Sequence, residues 1–149
     1  IAIEKFDSVL IRALKKFVDS DISNVRLLLY DASTISDVFD MEVDRIYLNF
    51  SDPWPKEKHS KRRLTSPRLL TQYEQILKGE IIFKTDNLEF FKYSLESIEE
   101  YGMILEDITY DLHSLDVENV QTEFEQKFSA LGFKINRVIT KFKGAGYGE

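Results

Sequence analysis

The stretch RIYLNFSDPWPKEKHSKRR, residues 45–63, combines three kinds of sequence that together predict a fold and a site. It begins with an apolar run, RIYLNF, which is typical of a β-strand covered on both faces. The turn Asp52-Pro53-Trp54-Pro55 follows, and the stretch ends in a dense cluster of lysine and arginine. In open α/β sheets ligands lie beyond the carboxyl ends of the strands, so this turn is a candidate binding loop.

Strands and helices alternate on both sides of this stretch. Upstream, residues 1–3 and 25–30 are predicted as strands, and apolar residues at helical spacing predict an amphipathic helix over residues 7–18. Downstream, the predicted elements are a helix from Ser66-Pro67 to Gly79, a strand at 80–85, a helix at 87–101 that ends at Gly102, strands at 103–112 and 134–142, and a helix at about 120–131 between them. The alternation predicts an α/β fold with a mostly parallel sheet, helices on both faces and an antiparallel C-terminal strand pair.

The composition indicates a globular chain. Its 149 residues fit a single domain, 1–149, and 43% hydrophobic residues are enough for a core. The absence of cysteine excludes disulfides and thiolate metal sites. No apolar run is long enough to span a bilayer and the N-terminus does not resemble a signal peptide, so we expect a cytoplasmic protein. The glycine-rich tail, residues 144–148, is not followed by a helix that could hold a phosphate, so we expect a frayed end.

The charge distribution predicts a nucleic-acid partner despite a net charge of -6. Residues 56–68 contain six lysines and arginines and one glutamate, whereas the rest of the chain has 14 basic and 25 acidic residues. A positive segment on an acidic body attracts phosphates at one place and repels them elsewhere. The alternative is an ordinary solvated surface loop, which explains many charge runs.

A carboxylate follows each of the first four predicted strands: Glu4, Asp31, Asp52 and Asp86. Parallel strands bring their carboxyl ends to one edge of a sheet, so we expect these acids on one rim. An acid that ends the second strand of a nucleotide-binding unit typically accepts hydrogen bonds from the ribose of NAD or S-adenosylmethionine, and Glu4 is the candidate, with Asp31 at the adenine edge. Each acid alone could instead be a turn residue or a helix cap, Asp86 before Asn87 above all.

The two prolines make the Asp52 turn stiff. Pro53 and Pro55 fix two backbone angles and remove two amides, so the Asp52 side chain and the loop carbonyls point in preset directions. Trp54 supplies an apolar or stacking wall, and such a loop is suited to hold a flat polar ring beside a cofactor. A rigid surface turn without a ligand is the alternative.

Together, the motifs resemble those of the bacterial tRNA (guanine-N7)-methyltransferases, S-adenosylmethionine-dependent enzymes with a Rossmann-like class I methyltransferase fold. The resemblance is carried by LNFSDPWPKEKHSKRRL (residues 48–64), FKTDN (83–87), YDLH (110–113) and TEFEQKF (122–128), which occur in that order along essentially the whole chain. It implies transfer of a methyl group from S-adenosylmethionine to N7 of a guanine in the variable loop of tRNA.

The resemblance also implies roles for individual residues. Asp52 matches the active-site acid, which also lies against the cofactor. The other cofactor-binding positions are Glu4, Asp31, Ala32 and Asn49. The substrate-binding positions are Lys56, Asp86, Thr122, Glu123, Phe124 and Glu125, and the RNA-contacting positions are Lys58, His59, Ser60, Lys61, Arg62 and Arg63. From the residues alone, Thr-x-x-Glu would be an ordinary helix capping box and His59 an ordinary surface histidine.

The chains of this family begin earlier, with a strand and a glycine-rich loop that hold the methionine part of the cofactor. That strand would lie between residues 1–3 and residues 45–50, and its absence would leave two buried strands with unpaired backbone groups. We therefore expect the sequence to be a segment of a longer chain. The segment lacks this strand and loop.

Two other functions stay open from the residues. An NAD-dependent oxidoreductase would share the sheet and Glu4 but gives no reason for the basic segment beside the Asp52 turn. A non-catalytic RNA-binding module derived from the same fold would keep that segment. The sequence does not distinguish a monomer from a homodimer.

Overall fold

Six β-strands and four α-helices alternate along residues 1–144, the part of the chain that the computed structural model describes. The strands are β1 (Ala2–Glu4), β2 (Leu27–Leu29), β3 (Val43–Asn49), β4 (Leu77–Thr85), β5 (Ile104–Thr109) and β6 (Asn136–Lys141). The helices are α1 (Asp7–Val18), α2 (Pro67–Glu74), α3 (Leu88–Tyr101) and α4 (Glu123–Ala130), and short 3-10 helices lie at Ala32–Asp37, Glu57–Arg62 and Leu112–Ser114. None of the helices described is long and apolar enough to cross a membrane. Residues 145–148 of the tail predicted to fray lie outside the described part.

The strands form two sheets. β1 and β2 are parallel and make a two-stranded sheet, with Glu4 opposite Leu29. The second sheet has the order β3-β4-β6-β5, in which β3 and β4 are parallel and β6 is antiparallel to both of its neighbours. The parallel pairs and the antiparallel C-terminal strands confirm the predicted α/β class.

Successive residues of β4 point to opposite faces of the larger sheet and so place a helix on each face. The Phe83 side chain is fully buried, and its ring centroid lies 5.1 and 6.2 Å from those of Phe90 and Phe91 in α3. The next residue, Lys84, reaches Glu125 of α4. The predicted helices on both faces are thereby confirmed.

Helix α2 ends earlier than the sequence predicts. Ser66 occupies its N-cap position, but the Ser66 hydroxyl donates to the Lys61 carbonyl and makes no capping hydrogen bond. Gly79, predicted as the end of this helix, lies within β4. A Cβ atom on Gly79 would stand 2.2 Å from the Asp44 carbonyl oxygen of β3, so the glycine permits a close approach of the two strands.

Strands β2 and β3 are more exposed than predicted. Leu48 is the one buried residue of β3, and Tyr47 and Leu29 are 56% and 51% exposed. Among the described residues both strands lie at the edge of a sheet, so each pairs with a neighbour on one side only. The buried core lies around β4, β6, α2 and α3.

Candidate active site

Three segments of the chain meet beyond the carboxyl ends of β3 and β4. The Phe50 amide, just past β3, donates to the Lys84 carbonyl of β4 at 2.9 Å. Asp52 follows on the first of these strands, and Asp86 directly follows the second. The start of α4 joins them, because the ring centroids of Phe124 and Phe50 are 4.8 Å apart. The predicted catalytic turn therefore shares one region with predicted substrate-binding positions.

Asp52 is exposed in the turn, as is Asn49 at the end of β3. The Oδ1 atom of Asp52 accepts a hydrogen bond from the Trp54 amide at 2.9 Å. Its Oδ2 atom accepts none from the residues that the structure describes. One carboxylate oxygen therefore orients the side chain, and the other is available to a ligand.

The backbone of the turn is strained on both sides of Asp52. Phe50 and Trp54 have φ angles of 54° and 44°, in the left-handed region that residues with side chains rarely occupy. Each such residue costs about 1–3 kcal/mol, and the ring of Pro55 favours an extended conformation for the residue before it. The contacts around the turn must hold this conformation.

Arg63 supplies contacts of this kind. Its Nε atom donates to the Pro53 carbonyl at 2.9 Å and to the Trp54 carbonyl at 3.2 Å, and its Nη2 atom donates to the Trp54 carbonyl at 2.9 Å. The guanidinium lies 4.3 Å from the centre of the Tyr93 ring, and Arg63 is 8% exposed. This position differs from the RNA contact predicted for Arg63, because the side chain is covered and faces the turn.

Residues 56–62, which we call the basic arm, precede Arg63 and lie beside the turn. Most of the arm is a 3-10 helix, Glu57–Arg62. Its exposed basic residues are Lys56, Lys58, Lys61 and Arg62, and its half-buried residues are His59 and Ser60. The Arg62 guanidinium lies 4.9 Å from the centre of the Trp54 ring, and the His59 ring packs edge-on against that ring at 5.6 Å. The arm therefore presents exposed positive charge next to Asp52.

Glu4 and Asp31 lie at the ends of the paired strands β1 and β2. Glu4 Oε1 accepts the amides of the next two residues, each at 3.1 Å, and Asp31 Oδ1 accepts the Ser33 amide at 2.9 Å. The Ser33 backbone hydrogen bond is the main cause of a lowered pKa of Asp31, and Ala32 follows this acid at the start of a 3-10 helix. The second oxygen of Glu4 accepts no hydrogen bond from the described residues, and the Ser33 side chain also contributes to lowering the pKa of Asp31. Ionised carboxylates accept hydrogen bonds and cannot donate them, so these two side chains suit the hydroxyl groups of a ribose, which can donate.

The sequence left open whether Asp86 caps helix α3 or binds a ligand, and the structure gives the cap to the next residue, Asn87. The Asn87 side chain accepts a hydrogen bond from the Phe90 amide at 2.9 Å and so caps α3. Asp86 is half-buried, and its carboxylate accepts no hydrogen bond within the described part of the chain. The helix cap is therefore Asn87, which leaves the Asp86 carboxylate available to a substrate.

The four residues of the predicted substrate-binding run have different surroundings. Thr122 caps α4, because its Oγ1 atom accepts the Glu125 amide at 3.1 Å. This is one half of a capping box; the other half is not formed, because the Glu125 carboxylate bonds to Lys84, Asn119 and His113. The Glu123 carboxylate is exposed and lies 2.6 Å from Lys16 Nζ of α1. Phe124 is 40% exposed and stacks on Phe128 with the centroids 4.1 Å apart. Three of the four residues thus reach the surface.

Glu125 is the exception, because it is buried and lies at the centre of a polar cluster. Its Oε1 atom is 2.7 Å from Lys84 Nζ, and its Oε2 atom accepts from Asn119 Nδ2 at 2.8 Å and lies 3.1 Å from His113 Nε2. Lys84 Nζ also donates to the Asn119 side chain at 3.0 Å and to the Val120 carbonyl at 2.9 Å. Glu125 is fully buried, so its carboxylate does not reach the surface of the described chain, and its contact with a substrate stays a prediction.

Burial by itself would raise the pKa of Glu125, but its polar partners outweigh burial. Lys84, Asn119 and His113 together lower this pKa from its ordinary value. The ionised carboxylate therefore holds Lys84 and the segment that leads into α4 against β4. Sequence reasoning missed this role of Lys84, although a lone lysine in the apolar strand IIFKT is a visible signal for a buried partner.

Comparison with known proteins shows that the chain is similar to a family of methyltransferases. The model of a family described as "Putative methyltransferase" matches residues 1–138. The chain is 52% identical over 146 residues to the tRNA (guanine-N(7)-)-methyltransferase of Listeria monocytogenes serotype 4b, a match that covers 95% of this chain and 68% of the relative. It is 50% identical over 147 residues to the protein of the same name from Bacillus subtilis, covering 96% of this chain and 69% of the relative.

Solved structures resemble the fold at much lower identity. A protein from Streptococcus mutans described as a "putative methyltransferase", crystallised in complex with SAH, superimposes with a TM-score of 0.52 at 10% identity, over 94% of this chain and 74% of that one. A protein from Pyrococcus horikoshii superimposes with a TM-score of 0.50 at 17% identity, over 95% of this chain and 72% of that one. At these identities the likeness concerns the fold alone.

Proposed function

Because this chain belongs to the family of bacterial tRNA (guanine-N7)-methyltransferases, we propose that it transfers a methyl group from S-adenosylmethionine to N7 of a guanine in the variable loop of tRNA. The observation that carries this proposal is the identity of 50–52% over almost the entire chain to proteins of that name. A tRNA substrate also supports the predicted cytoplasmic location.

Glu4 and Asp31 are the residues that would hold the cofactor, because their carboxylates lie just beyond the ends of the paired strands β1 and β2 and can accept hydrogen bonds from hydroxyl groups. Ala32, next to Asp31, and the exposed Asn49 are further candidates. When bound, S-adenosylmethionine supplies the methyl group as part of a sulfonium cation. The chain's own contribution is to bind, to orient and to stabilise charge.

Asp52 is the proposed catalytic residue. Guanine N7 already carries an in-plane lone pair, so the reaction needs no base to create a nucleophile. As N7 is methylated, positive charge develops on the guanine ring, and a fixed carboxylate beside the ring stabilises it. The Trp54 amide orients one oxygen of Asp52, and the second oxygen is open to the N1 and amino groups of the base. Holding N7 in line with the methyl group can supply several kcal/mol of the barrier.

The surface around Asp52 supplies the contacts for the tRNA. The exposed lysines and Arg62 of the basic arm neutralise phosphates, while the guanine leaves its stack to reach the Asp52 turn. The groups proposed to contact the nucleotide that carries this guanine are Lys56, Asp86, Thr122, Glu123 and Phe124. Glu125 acts in this scheme from beneath the surface, because it fixes the start of α4.

Labelled methyl transfer to an unmodified tRNA transcript tests the proposal, with the full-length gene product as the enzyme. The matched control is a transcript with 7-deazaguanine in place of guanine, which lacks N7 and keeps the hydrogen-bonding edge of the base. We expect label on the first transcript and none on the second. Label on both transcripts would contradict N7 as the acceptor, and tRNA binding without any transfer or any binding of S-adenosylhomocysteine would favour the non-catalytic RNA-binding module.

A further inference from the structure

We propose that Arg63 is a positioning residue for methyl transfer, which acts through the Trp54 backbone to hold the Asp52 carboxylate in place and does not act by binding tRNA phosphates. The consequence for catalysis rests on the proposed function. The consequence for the conformation of the turn rests on geometry alone, so the two can be tested separately.

The two carbonyl groups that Arg63 binds flank the α-carbon of Trp54. The Pro53 oxygen precedes the φ bond of Trp54 and the Trp54 oxygen follows its ψ bond, and the Arg63 Nε and Nη2 atoms bind them at 2.9 Å each. A planar guanidinium that holds both oxygens fixes both backbone angles of the residue between them. Trp54 is the residue with the left-handed φ of 44°, which needs such support.

The conformation of Trp54 in turn sets the Asp52 side chain. The Trp54 amide donates to Asp52 Oδ1 at 2.9 Å, and the direction of that amide depends on the backbone that Arg63 holds. A continuous path of hydrogen bonds therefore runs from the Arg63 guanidinium through one residue to the proposed catalytic carboxylate. The exposed residues of the basic arm make no comparable hydrogen bonds to the backbone of the turn within the described chain.

The surroundings of Arg63 favour this role over a phosphate contact. Its guanidinium stacks on Tyr93 at 4.3 Å, and only 8% of the residue is exposed. Two residues later, the Thr65 hydroxyl lies 2.7 Å from that of Ser94, and the Ser97 hydroxyl donates to the Thr65 carbonyl at 2.6 Å, all of them buried. The chain beyond Arg63 is thus fixed to α3, whereas the arm before it is exposed.

Arg63→Lys separates the two roles, because lysine keeps the positive charge and loses the planar fork. Trp54 is the only tryptophan in the sequence, so its fluorescence reports on the turn without a label. We expect Arg63→Lys to shift the Trp54 emission to longer wavelength and to increase its quenching by acrylamide. We expect kcat for methyl transfer to fall by roughly 10- to 100-fold, because a misplacement of about 1 Å can cost that much. KM for tRNA and the salt dependence of tRNA binding should stay close to those of the unmodified protein.

Lys58→Ala is the matched control from the exposed arm. We expect it to reduce the slope of log affinity against log salt concentration by roughly one phosphate contact and to leave the Trp54 emission unchanged. Arg63→Ala completes the set, with circular dichroism to show that it folds. If Arg63→Ala does not fold, the measurements on Arg63→Lys alone test the positioning role.

The proposal is overturned if Arg63→Lys keeps the emission, the quenching and the kcat of the unmodified protein, or if Arg63→Ala flattens the salt dependence as Lys58→Ala does and leaves Trp54 undisturbed. Absence of methyl transfer by the unmodified protein would count against the proposed function instead. In that case a changed Trp54 signal in Arg63→Lys still supports the role of Arg63 in the turn, and an unchanged signal overturns it.

Discussion

Lys84 Nζ lies 2.7 Å from Glu125 Oε1, and the two side chains are 4% and 0% exposed. The pair joins β4, whose carboxyl end leads to Asp86, to the start of α4, which carries Phe124. Two segments proposed to contact the substrate are thereby held together by a pair of buried side chains.

Removing one partner of this pair should destabilise the protein strongly. Lys84→Met leaves the Glu125 carboxylate buried without its cation, and the free energy of unfolding should fall by about 3–5 kcal/mol. Urea unfolding of the variant and the unmodified protein measures the difference. The double variant Lys84→Met/Glu125→Leu should lose less than the sum of the two single variants, and additive losses would show that the two charges do not interact.

The same cluster should give the stability a dependence on acid pH. Because the pKa of Glu125 is lower in the folded state than its ordinary value of 4.5, its contribution is complete at pH values above that ordinary value and is lost as the pH falls through the folded pKa. The free energy of unfolding, measured by urea titration between neutral pH and about pH 3, should therefore decline on the acid side. Glu125→Gln should be less stable at neutral pH and should show a weaker decline, and an identical acid profile would contradict this origin.

Asp52→Asn should separate the charge of this residue from the shape of its turn. Asparagine keeps an oxygen that can accept the Trp54 amide but carries no negative charge. We expect kcat to fall by roughly 100-fold, a typical loss for an electrostatic group in an active site. The Trp54 emission should not change. Single-turnover methyl transfer measures the chemical step, and a rate near that of the unmodified protein with tRNA binding intact would refute the proposed role.

Gly79→Ala should strain the junction of β3 and β4. Its Cβ would lie 2.2 Å from the Asp44 carbonyl oxygen, where the register between the strands is irregular. The backbone must move to admit it, at a cost of about 1–3 kcal/mol in the free energy of unfolding. Thermal or urea unfolding measures this cost. The exposed neighbour Lys78 provides the control, since Lys78→Ala should change stability by less than about 0.5 kcal/mol.

Apolar patterns, together with cap and turn residues, predicted the order and type of the strands and helices, because both signals are local in the sequence. Gly102, with a φ of 92°, ends α3 as predicted, since only glycine adopts this conformation freely. Gly79 misled the prediction, because a glycine required by close strand approach has the same local sequence signal as one that ends a helix. The difference lies in Asp44, which is remote in sequence.

In the candidate site, too, local features could be predicted from the sequence and features that depend on distant residues could not. The turn at Asp52 and the acids at the strand ends follow from residue type and strand position, which are local properties. The burial of Arg63 and Glu125 does not, because each is covered by partners far along the chain, Tyr93 in the first case and Lys84 in the second. In the sequence Arg63 looks the same as the exposed Arg62 beside it.

The alternation of Phe83 and Lys84 along β4 also protects the pairing of the sheet. A slip of this strand by one residue would turn the ammonium group into the phenylalanine cluster beneath α3 and would leave Glu125 facing a benzene ring. Both errors would be costly, since an unpaired buried charge and a lost aromatic contact would arise together. Phe83 and Lys84 thus favour a single register of β4 relative to α3 and α4.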